Sequence, residues 1–254
     1  MPGKVTYQLY RLFWDGLDWL YPPRCGGCGA PGARWCAKCA DSLQRIQFPV
    51  CPVCGQEQAS DQLCPRCQAA PPAWDHLRSL ARYGGALRHA IHALKYRRDL
   101  GLGEVLSRSL LQLYRSLAWQ ADMAVPVPLD LARMRERGYN QISLLTIPLA
   151  LASELLYRPK ALNKVKETPR QVTLNGHHRR SNLAGAFEAD PQLVKGKTIL
   201  LIDDVVTTGT TLQACSQALR TAGARQVFAL TLARAGYSVD HTGREQHEDS
   251  WVNQ

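Results

Sequence analysis

The chain has 254 residues, of which 31 are lysine or arginine and 21 are aspartate or glutamate, and its formal net charge is +10. This length accommodates one α/β domain and a small additional module. No run approaches the roughly 18–20 apolar residues that cross a bilayer, and the first twenty residues lack the continuous apolar core of a signal peptide. We therefore expect a cytoplasmic protein without a membrane span.

The positive charge is concentrated in the larger, C-terminal part of the chain. Residues 1–72 carry a net charge of +2, and residues 73–254 carry +8. A basic region of this kind suits a polyanionic ligand, either a pyrophosphate ester or a nucleic-acid backbone. The charge by itself does not decide between these two classes of ligand.

The first predicted element is an amphipathic helix. Apolar side chains recur at helical spacing between Tyr7 and Leu20, which indicates a helix of about three turns. We assign residues 1–22 to this segment and expect it to pack on the module that follows or on a partner. Contact with a membrane surface is the weaker alternative because the helix carries little basic charge.

A cysteine-rich module follows over residues 23–72. Four Cys-x-x-Cys pairs lie within 43 residues, and they comprise Cys25, Cys28, Cys36, Cys39, Cys51, Cys54, Cys64 and Cys67. Two thiolates separated by two residues can bind one zinc ion at tetrahedral geometry. Because four cysteines fill the coordination sphere, we predict structural zinc, which a segment this short and this poor in apolar residues needs in order to fold.

Some features of this module stay open on the sequence. The pairs suit one or two zinc ions, and each site can combine consecutive pairs or cross-braced pairs. Disulfides or a redox dithiol are the alternatives to zinc, and a cytoplasmic location disfavours structural disulfides. The ninth cysteine, Cys215, stands apart, and we interpret it as a buried small hydrophobic residue rather than a nucleophile.

Beyond a boundary at residues 69–72, predicted strands and helices alternate. The strands are Leu77–Tyr83, Met123–Leu129, Lys197–Leu201 and Val227–Leu232, and the helices include Ala86–Tyr96, Leu102–Trp119 and Thr211–Ala222. Pro148 lies inside a further helical pattern, which it should kink or shorten. The alternation indicates an α/β fold with a doubly wound, mainly parallel sheet over residues 73–236. Residues 237–254 form a polar tail in this interpretation.

Residues 198–212 carry the most specific signal in the chain. An apolar run ends in Asp203 and Asp204, and a loop of threonines around Gly209 then leads into an apolar-periodic helix. A helix N-terminus favours a phosphate group, the glycine permits close approach, and the hydroxyls can donate to phosphate oxygens. Carboxylates at the end of a parallel strand can accept hydrogen bonds from a ribose diol or hold Mg²⁺.

This run resembles the phosphoribosyl pyrophosphate (PRPP) signature of type I phosphoribosyltransferases. The alternative is an ordinary strand, turn and helix with two surface aspartates. The resemblance implies a PRPP-binding site formed by Asp203, Asp204, Val205, Thr207, Thr208, Gly209, Thr210 and Thr211.

Further segments extend the resemblance over nearly the whole chain, to the ComF/GntX family of bacterial phosphoribosyltransferase-like proteins. The segments are the four cysteine pairs, His92–Tyr96, Val125–Leu129 and Arg137–Gln141, with Thr168, Gln171, Leu174, Arg179, Asn182, Ala186, Phe187, Ala222–Ala224 and Leu232–Arg234. Tyr139 stands where the family often has phenylalanine. The fold implied is a type I phosphoribosyltransferase domain preceded by a small zinc-binding module.

The resemblance also implies how the site works. Thr207–Thr211 would bind the 5′-phosphate, and Asp203 and Asp204 would contact the ribose hydroxyls. Pyrophosphate would lie near the strand end at Pro126–Leu129, assisted by Mg²⁺, and the residues implied there are Pro126, Val127, Pro128 and either Arg133 or Arg137. Lys160–Ser181 is basic and aperiodic, and closure of Lys164–Asn182 over the substrate would exclude water, with Arg170 and Arg179 as catalytic cations. A solvated basic loop is the alternative.

Two classes of function remain open on the sequence. The first is a Mg²⁺-dependent phosphoribosyltransferase whose acceptor carries no signature in the chain. The second is a non-catalytic factor in DNA uptake during natural competence, in contact with single-stranded DNA or a helicase-like partner. A metabolic role in the use of sugar acids rests on the family name only. A homodimer is compatible with either class.

Overall fold

The structure, a computed structural model, describes residues 2–166, 185–235, 237–239 and 245–247. Its helices are α1 (Pro2–Leu20), α2 (Ala37–Asp41), α3 (Pro65–Ala69), α4 (Gly85–Tyr96), α5 (Leu100–Ser116), α6 (Leu131–Arg137), α7 (Gln141–Ser153), α8 (Pro191–Val194) and α9 (Thr210–Thr221). Its strands are β1 (His76–Arg82), β2 (Met123–Pro126), β3 (Leu156–Tyr157), β4 (Leu162–Lys164), β5 (Phe187–Ala189), β6 (Thr198–Val206), β7 (Gln226–Arg234), β8 (Tyr237–Val239) and β9 (Glu245–His247).

A five-stranded parallel sheet forms the centre of the fold. The strand order is β1-β7-β6-β2-β3, and every neighbouring pair is parallel. The chain leaves β2 toward one edge of the sheet and leaves β6 toward the other edge. The strand order therefore reverses between β2 and β6, and this is the place where open α/β sheets bind their ligands.

The two faces of β6 explain why its sequence is continuously apolar. Leu200 and Ile202 point into one core cluster, with α4, α5 and α7, while Ile199 and Leu201 point into the cluster beneath α9. All four side chains are fully buried. A strand covered on both faces requires apolar residues at every position, and this confirms the doubly wound fold.

Helix α7 packs closely on α5 despite its internal proline. Pro148 cannot donate to the carbonyl of Leu144, yet the helix continues to Ser153, so the proline does not shorten it. A Cβ on Gly103 of α5 would lie 3.0 Å from that carbonyl oxygen. The glycine therefore allows the backbone of α5 to approach α7.

The cysteine-rich module covers an edge of the sheet. The Leu77 N–H of edge strand β1 donates to the Val53 carbonyl at 2.7 Å, and Arg82 N–H donates to the Gln44 carbonyl at 2.7 Å. These bonds satisfy backbone groups that an open edge strand would expose. The zinc module thus packs directly against β1 of the sheet.

Several elements differ from the predicted boundaries. Strand β6 extends through Asp203 and Asp204 to Val206, because its ladder with β7 continues past the apolar run. Helix α1 begins at Pro2, five residues before the predicted start. Within the predicted polar tail, β8 and β9 pair as a short antiparallel hairpin.

Candidate functional site

The eight paired cysteines form two separate clusters. Within each cluster the four sulfur atoms lie within 4.8 Å of one another, and consecutive pairs combine, so the cross-braced arrangement is excluded. The Sγ atoms of Cys25 and Cys39 are 3.6 Å apart, as are those of Cys54 and Cys64. Zn–S bonds of ~2.3 Å at tetrahedral angles place sulfurs about 3.8 Å apart. Both clusters therefore fit a structural zinc ion.

Backbone geometry supports both clusters. Gly29 and Gly55, each directly after a Cys-x-x-Cys pair, have φ of 77° and 68°, in the left-handed region that favours glycine. A Cβ on Gly55 would also lie 2.4 Å from the Leu77 carbonyl oxygen on β1. This turn is therefore required both for the metal site and for its contact with the sheet.

Two arginines lie beside the second cluster. The buried Arg234 donates to the carbonyl of Cys54, and the partly buried Arg78 donates to the Pro52 carbonyl at 3.0 Å. Burial lowers the pKa of both guanidinium groups, and the thiolates of Cys51 and Cys54 oppose this shift. A zinc ion with four thiolates carries a charge of about −2. Two guanidinium groups would balance that charge.

The threonine loop joins β6 to the N-terminus of α9. Gly209 has φ of 81°, and its added Cβ would lie 3.0 Å from the ring of Trp74. The hydroxyls of Thr208 and Thr210 are 2.7 Å apart. The first turn of α9 presents backbone N–H groups on a 12-residue helix, which is a favourable place for an anion.

The second zinc cluster contacts this loop. Arg66, between the cluster ligands Cys64 and Cys67, donates to the Thr208 carbonyl at 3.2 Å. The segment after the cluster also reaches α9, because Ala73 N–H donates to the Gln213 side chain at 2.9 Å. The position of the threonine loop therefore depends on the cysteine-rich module.

The two aspartates occupy different environments on β6. Asp204 is 7% exposed, and its Oδ2 atom accepts from Lys95 Nζ at 2.9 Å and from Gln141 Nε2 at 3.1 Å. Gln141 Oε1 in turn accepts from Arg137 at 2.7 Å, and the guanidinium of Arg137 lies 4.9 Å from the ring centre of Tyr96. This network of charges and amides orders one side of the crevice. Asp203 Oδ1, by contrast, accepts from a backbone N–H, that of Asp204, at 2.9 Å.

Burial and charge shift the pKa values in this network. Burial lowers the pKa of Lys95, but the Asp204 carboxylate reverses this effect and raises it above its ordinary value. Burial and the neighbouring charge of Asp204 raise the pKa of Asp203 to about 8. A carboxyl group whose pKa is raised by burial and by a neighbouring charge is characteristic of functional sites.

The raised pKa of Asp203 has a measurable consequence for stability. The folded protein retains this proton up to about pH 8, whereas the unfolded chain releases it near ~4. The stability that the protonated Asp203 contributes is therefore fully present below pH ~4 and is lost as the pH rises through 8. Asp203→Asn lacks this titration, so its free energy of unfolding, compared with that of wild type, should rise by at least about 1.4 kcal/mol between pH ~5 and ~8. This figure corresponds to one pKa unit. Urea unfolding without Mg²⁺ measures this, and a constant difference across that range would contradict it.

The end of β2 forms the other wall of the crevice. Val127 N–H continues the sheet by donating to the Ile202 carbonyl at 2.9 Å, and Asn140 donates to the Val127 carbonyl at 3.0 Å. Pro126 and Pro128 have no N–H group, so this segment shapes the wall rather than donating to a ligand. Arg137 lies on the helix that follows and is 9% exposed.

The structure thus brings most of the predicted site residues to one crevice. Asp203, Asp204, the loop Thr207–Thr211, Pro126–Pro128 and Arg137 all lie at the carboxyl ends of β6 and β2 or on the helices that follow. Arg170 and Arg179 lie outside the described residues. Cys215 is fully buried under the sheet.

Three residues that contact the site, Lys95, Gln141 and Arg66, have no role predicted from the sequence. Lys95 and Gln141 belong to the segments that carry the family resemblance, but the resemblance does not indicate what they do. Arg66 lies 142 positions from Thr208, and no pattern pointed to this contact. Across the described part of the chain, no helix combines the length and apolar character needed to cross a membrane.

Comparison with known families identifies two parts of the chain. The family described as double zinc ribbon domain matches residues 16–68. The family described as phosphoribosyl transferase domain matches residues 133–252. These matches agree with the two cysteine clusters and with the parallel sheet.

Solved structures give a weaker likeness. Glutamine PRPP amidotransferase from Bacillus subtilis has a TM-score of 0.36 and 22% identity, covering 56% of this chain and 26% of that chain. Leishmania donovani UMP synthase has a TM-score of 0.34 and 17% identity, covering 58% of this chain and 24% of that chain. This chain spans about a quarter of each solved chain, so the likeness adds nothing to the fold assigned from strand order.

Curated relatives match over most of their length. DNA utilization protein YhgH from Salmonella typhimurium is 36% identical over 196 residues, covering 75% of this chain and 86% of the relative. Competence protein F from Haemophilus influenzae is 32% identical, covering 74% and 86%. Competence protein ComFC from Bacillus subtilis is 28% identical, covering 81% and 86%. The chain therefore belongs to the ComF family, in which a double zinc ribbon precedes a phosphoribosyltransferase domain.

Proposed function

We propose that this protein binds PRPP with Mg²⁺ and transfers the phosphoribosyl group to a nitrogen nucleophile, releasing pyrophosphate. The observation that supports this most directly is the combination at one crevice of a hydroxyl-lined helix N-terminus with two carboxylates. The first part suits a phosphate, and the second suits a ribose diol or a cation. The zinc ions are structural in this proposal, and the thiolate ligands suit a reducing compartment such as the cytoplasm.

The residues would divide the substrate between them. The loop Thr207–Thr211 would hold the 5′-phosphate through hydroxyls and backbone N–H groups. Asp203 and Asp204 would accept hydrogen bonds from the ribose hydroxyls, and Lys95 would orient the Asp204 side chain through their contact. Arg137 would face the pyrophosphate across the crevice wall.

The reaction is a displacement at C1 of the ribose. The bond between C1 and the pyrophosphate oxygen breaks, and its electron pair leaves with pyrophosphate. The nitrogen nucleophile forms the new bond to C1 with inversion and releases its proton to solvent. The Asp204 carboxylate would stabilise the positive charge that develops on the sugar, and Arg137 would stabilise the leaving group. Mg²⁺, when bound, neutralises charge on the pyrophosphate.

Calorimetric titration with Mg·PRPP tests the proposal. For the double variant Asp203→Asn and Asp204→Asn we expect affinity to fall at least about 100-fold, because the charge of Asp204 is lost and an NH2 group replaces one oxygen of each side chain that faces the ribose hydroxyls. Asp61→Asn, an exposed position on the zinc module, is the matched control and should bind like wild type. Equal affinity in the double variant and wild type would refute the site assignment, provided that circular dichroism shows both folded.

Contact with single-stranded DNA is a second candidate function. Relatives of this chain are named for DNA utilization and competence, and exposed arginines surround the crevice. Arg97 and Arg98 follow α4, and Arg133 and Arg135 lie on α6. A DNA strand that crosses this rim would contact its phosphates through these side chains.

Salt dependence separates DNA binding from other kinds of binding. Fluorescence anisotropy with a labelled oligonucleotide should show affinity that falls steeply with salt. Neutralising Arg97, Arg98 and Arg135 to glutamine should lower the slope of log affinity against log salt by about 2, since each lost phosphate contact removes ~0.7. Arg115→Gln, at the end of α5, is the control. A slope that does not change would remove the rim from the DNA-binding surface.

A further inference from the structure

Helix α1 exposes an apolar face along almost its whole length. Large apolar side chains on this face are each more than half exposed, and they are Val5, Leu9, Leu12, Phe13, Trp19 and Leu20. At about 100° per residue they fall within an arc of roughly 120°. Gly16 lies in the middle of the arc, and a Cβ there would meet nothing within 4 Å. We call this surface the α1 stripe.

The opposite face of the helix is anchored to the protein. The guanidinium of Arg34 lies 5.5 Å from the Trp14 ring centre, and its Nε donates to Asp18 at 2.8 Å. Gly101 of α5 lies directly beneath Trp14, where an added Cβ would be 2.9 Å from the ring. Because its inner face is held by these contacts, α1 presents the stripe as a preformed surface.

The stripe is complementary to itself when one copy is reversed. We propose that two copies of this chain associate through antiparallel packing of their α1 stripes about a two-fold axis. Centred between Leu12 and Phe13, this arrangement places Leu9 against Gly16 of the second copy and Val5 against Leu20. The absence of a side chain at Gly16 leaves space for Leu9, so the two helices can approach closely.

The charged residues of the helix lie away from the centre of the stripe. Asp15 is exposed and lies about 100° from the centre of the arc, and Arg11 lies about 140° from it, on the side of Asp18. The reversed pairing therefore places apolar side chains and Gly16 at the two-fold axis, with the charges outside the contact. A closed two-fold interface requires self-complementarity of this kind.

The area and charge of the stripe favour a second copy over a membrane. Each exposed side chain of the stripe offers roughly 100–200 Å², so the six side chains together offer on the order of 800 Å². A standard interface buries about this area on each partner. Helix α1 has Lys4 and Arg11 against Asp15 and Asp18, so its net charge is zero. Helices that bind anionic membranes are instead rich in lysine and arginine on their polar face.

Light scattering after size exclusion measures the oligomeric state of the full chain. We expect the wild-type chain to be a dimer at micromolar concentration and Leu12→Lys to be a monomer. The dissociation constant of the variant should rise at least about 100-fold, because the dimer would bury two lysine charges at the two-fold axis. Leu12 is exposed in the single chain, so the melting temperature extrapolated to the monomer should not fall. Leu156→Lys, an exposed leucine on β3, is the matched control and should remain dimeric.

A size exchange tests the orientation independently. Gly16→Leu should weaken the dimer about tenfold, since the new side chain fills the space of Leu9 on the second copy and does so twice. Adding Leu9→Ala restores that space and should recover affinity relative to Gly16→Leu alone. Failure of the combined variant to recover would overturn the antiparallel arrangement. A wild-type chain that stays monomeric at about 100-micromolar concentration would overturn the proposal, and binding to anionic vesicles by that monomer would assign the stripe to a membrane.

Discussion

Replacement of Cys51 by serine should remove one of two zinc ions, lower the melting temperature by roughly 10 °C or more, and weaken Mg·PRPP binding at least about tenfold. Cys51 is fully buried in the second cluster. Without the metal, the partly buried Arg78 and the buried Arg234 lose their counter-charge. An unpaired charge in such a place costs about 3–5 kcal/mol.

The expected loss of affinity follows from one contact. Arg66 holds the Thr208 carbonyl only while its helix, α3, is fixed by Cys64 and Cys67. Release of α3 would leave the threonine loop without this support. The effect on binding is therefore expected at the 5′-phosphate rather than at the ribose.

A variant in the first cluster provides the control. Cys28→Ser also removes one zinc ion, but the first ribbon packs on α4 and α5, where His89 contacts the Gly27 carbonyl at 3.0 Å. We expect this variant to lose stability and to keep its affinity for Mg·PRPP. Zinc content by mass spectrometry, differential scanning calorimetry and calorimetric titration give the three readouts. If Cys51→Ser loses zinc yet binds PRPP like Cys28→Ser, the second ribbon does not support the loop.

Replacement of Lys95 by methionine should destabilise the protein by about 2–3 kcal/mol and weaken Mg·PRPP binding about tenfold. Methionine keeps the length of the side chain and removes its charge. Among the described residues, the Asp204 carboxylate would then keep only the hydrogen bond from Gln141. Because Asp204 is 7% exposed, solvent replaces the lost ion pair poorly.

A double-mutant cycle separates the two effects. Adding Asp204→Asn to Lys95→Met removes the unpaired charge, so urea unfolding should recover most of the lost stability. Affinity for Mg·PRPP should stay low, because a ribose hydroxyl no longer meets a carboxylate. Arg108→Met, which breaks the Arg108–Glu104 pair on α5, is a matched control away from the crevice and should bind normally. Additive losses of stability in the cycle would contradict a coupling between Lys95 and Asp204.

The parts of this protein that the sequence determines are those in which neighbouring residues act together. The apolar run, Asp203, Asp204 and the threonine loop are contiguous, so strand, turn and helix follow from local conformational preference and periodicity. The Cys-x-x-Cys spacing, present four times within 43 residues, favours tetrahedral zinc over disulfides. The alternation of strands and helices indicates a parallel sheet, and the structure confirms it.

Only the tertiary structure decides which distant residues meet. The spacing within one Cys-x-x-Cys pair does not indicate which other pair completes its metal site. Only the folded module shows that consecutive pairs share a site. The contacts of Asp204 with Lys95 and Gln141, and of Thr208 with Arg66, join residues more than sixty positions apart. Packing of the sheet against its helices and zinc module sets these distances. Local periodicity likewise identified α1 as amphipathic, but only its docking on α5 and α7 shows that a second apolar face remains uncovered.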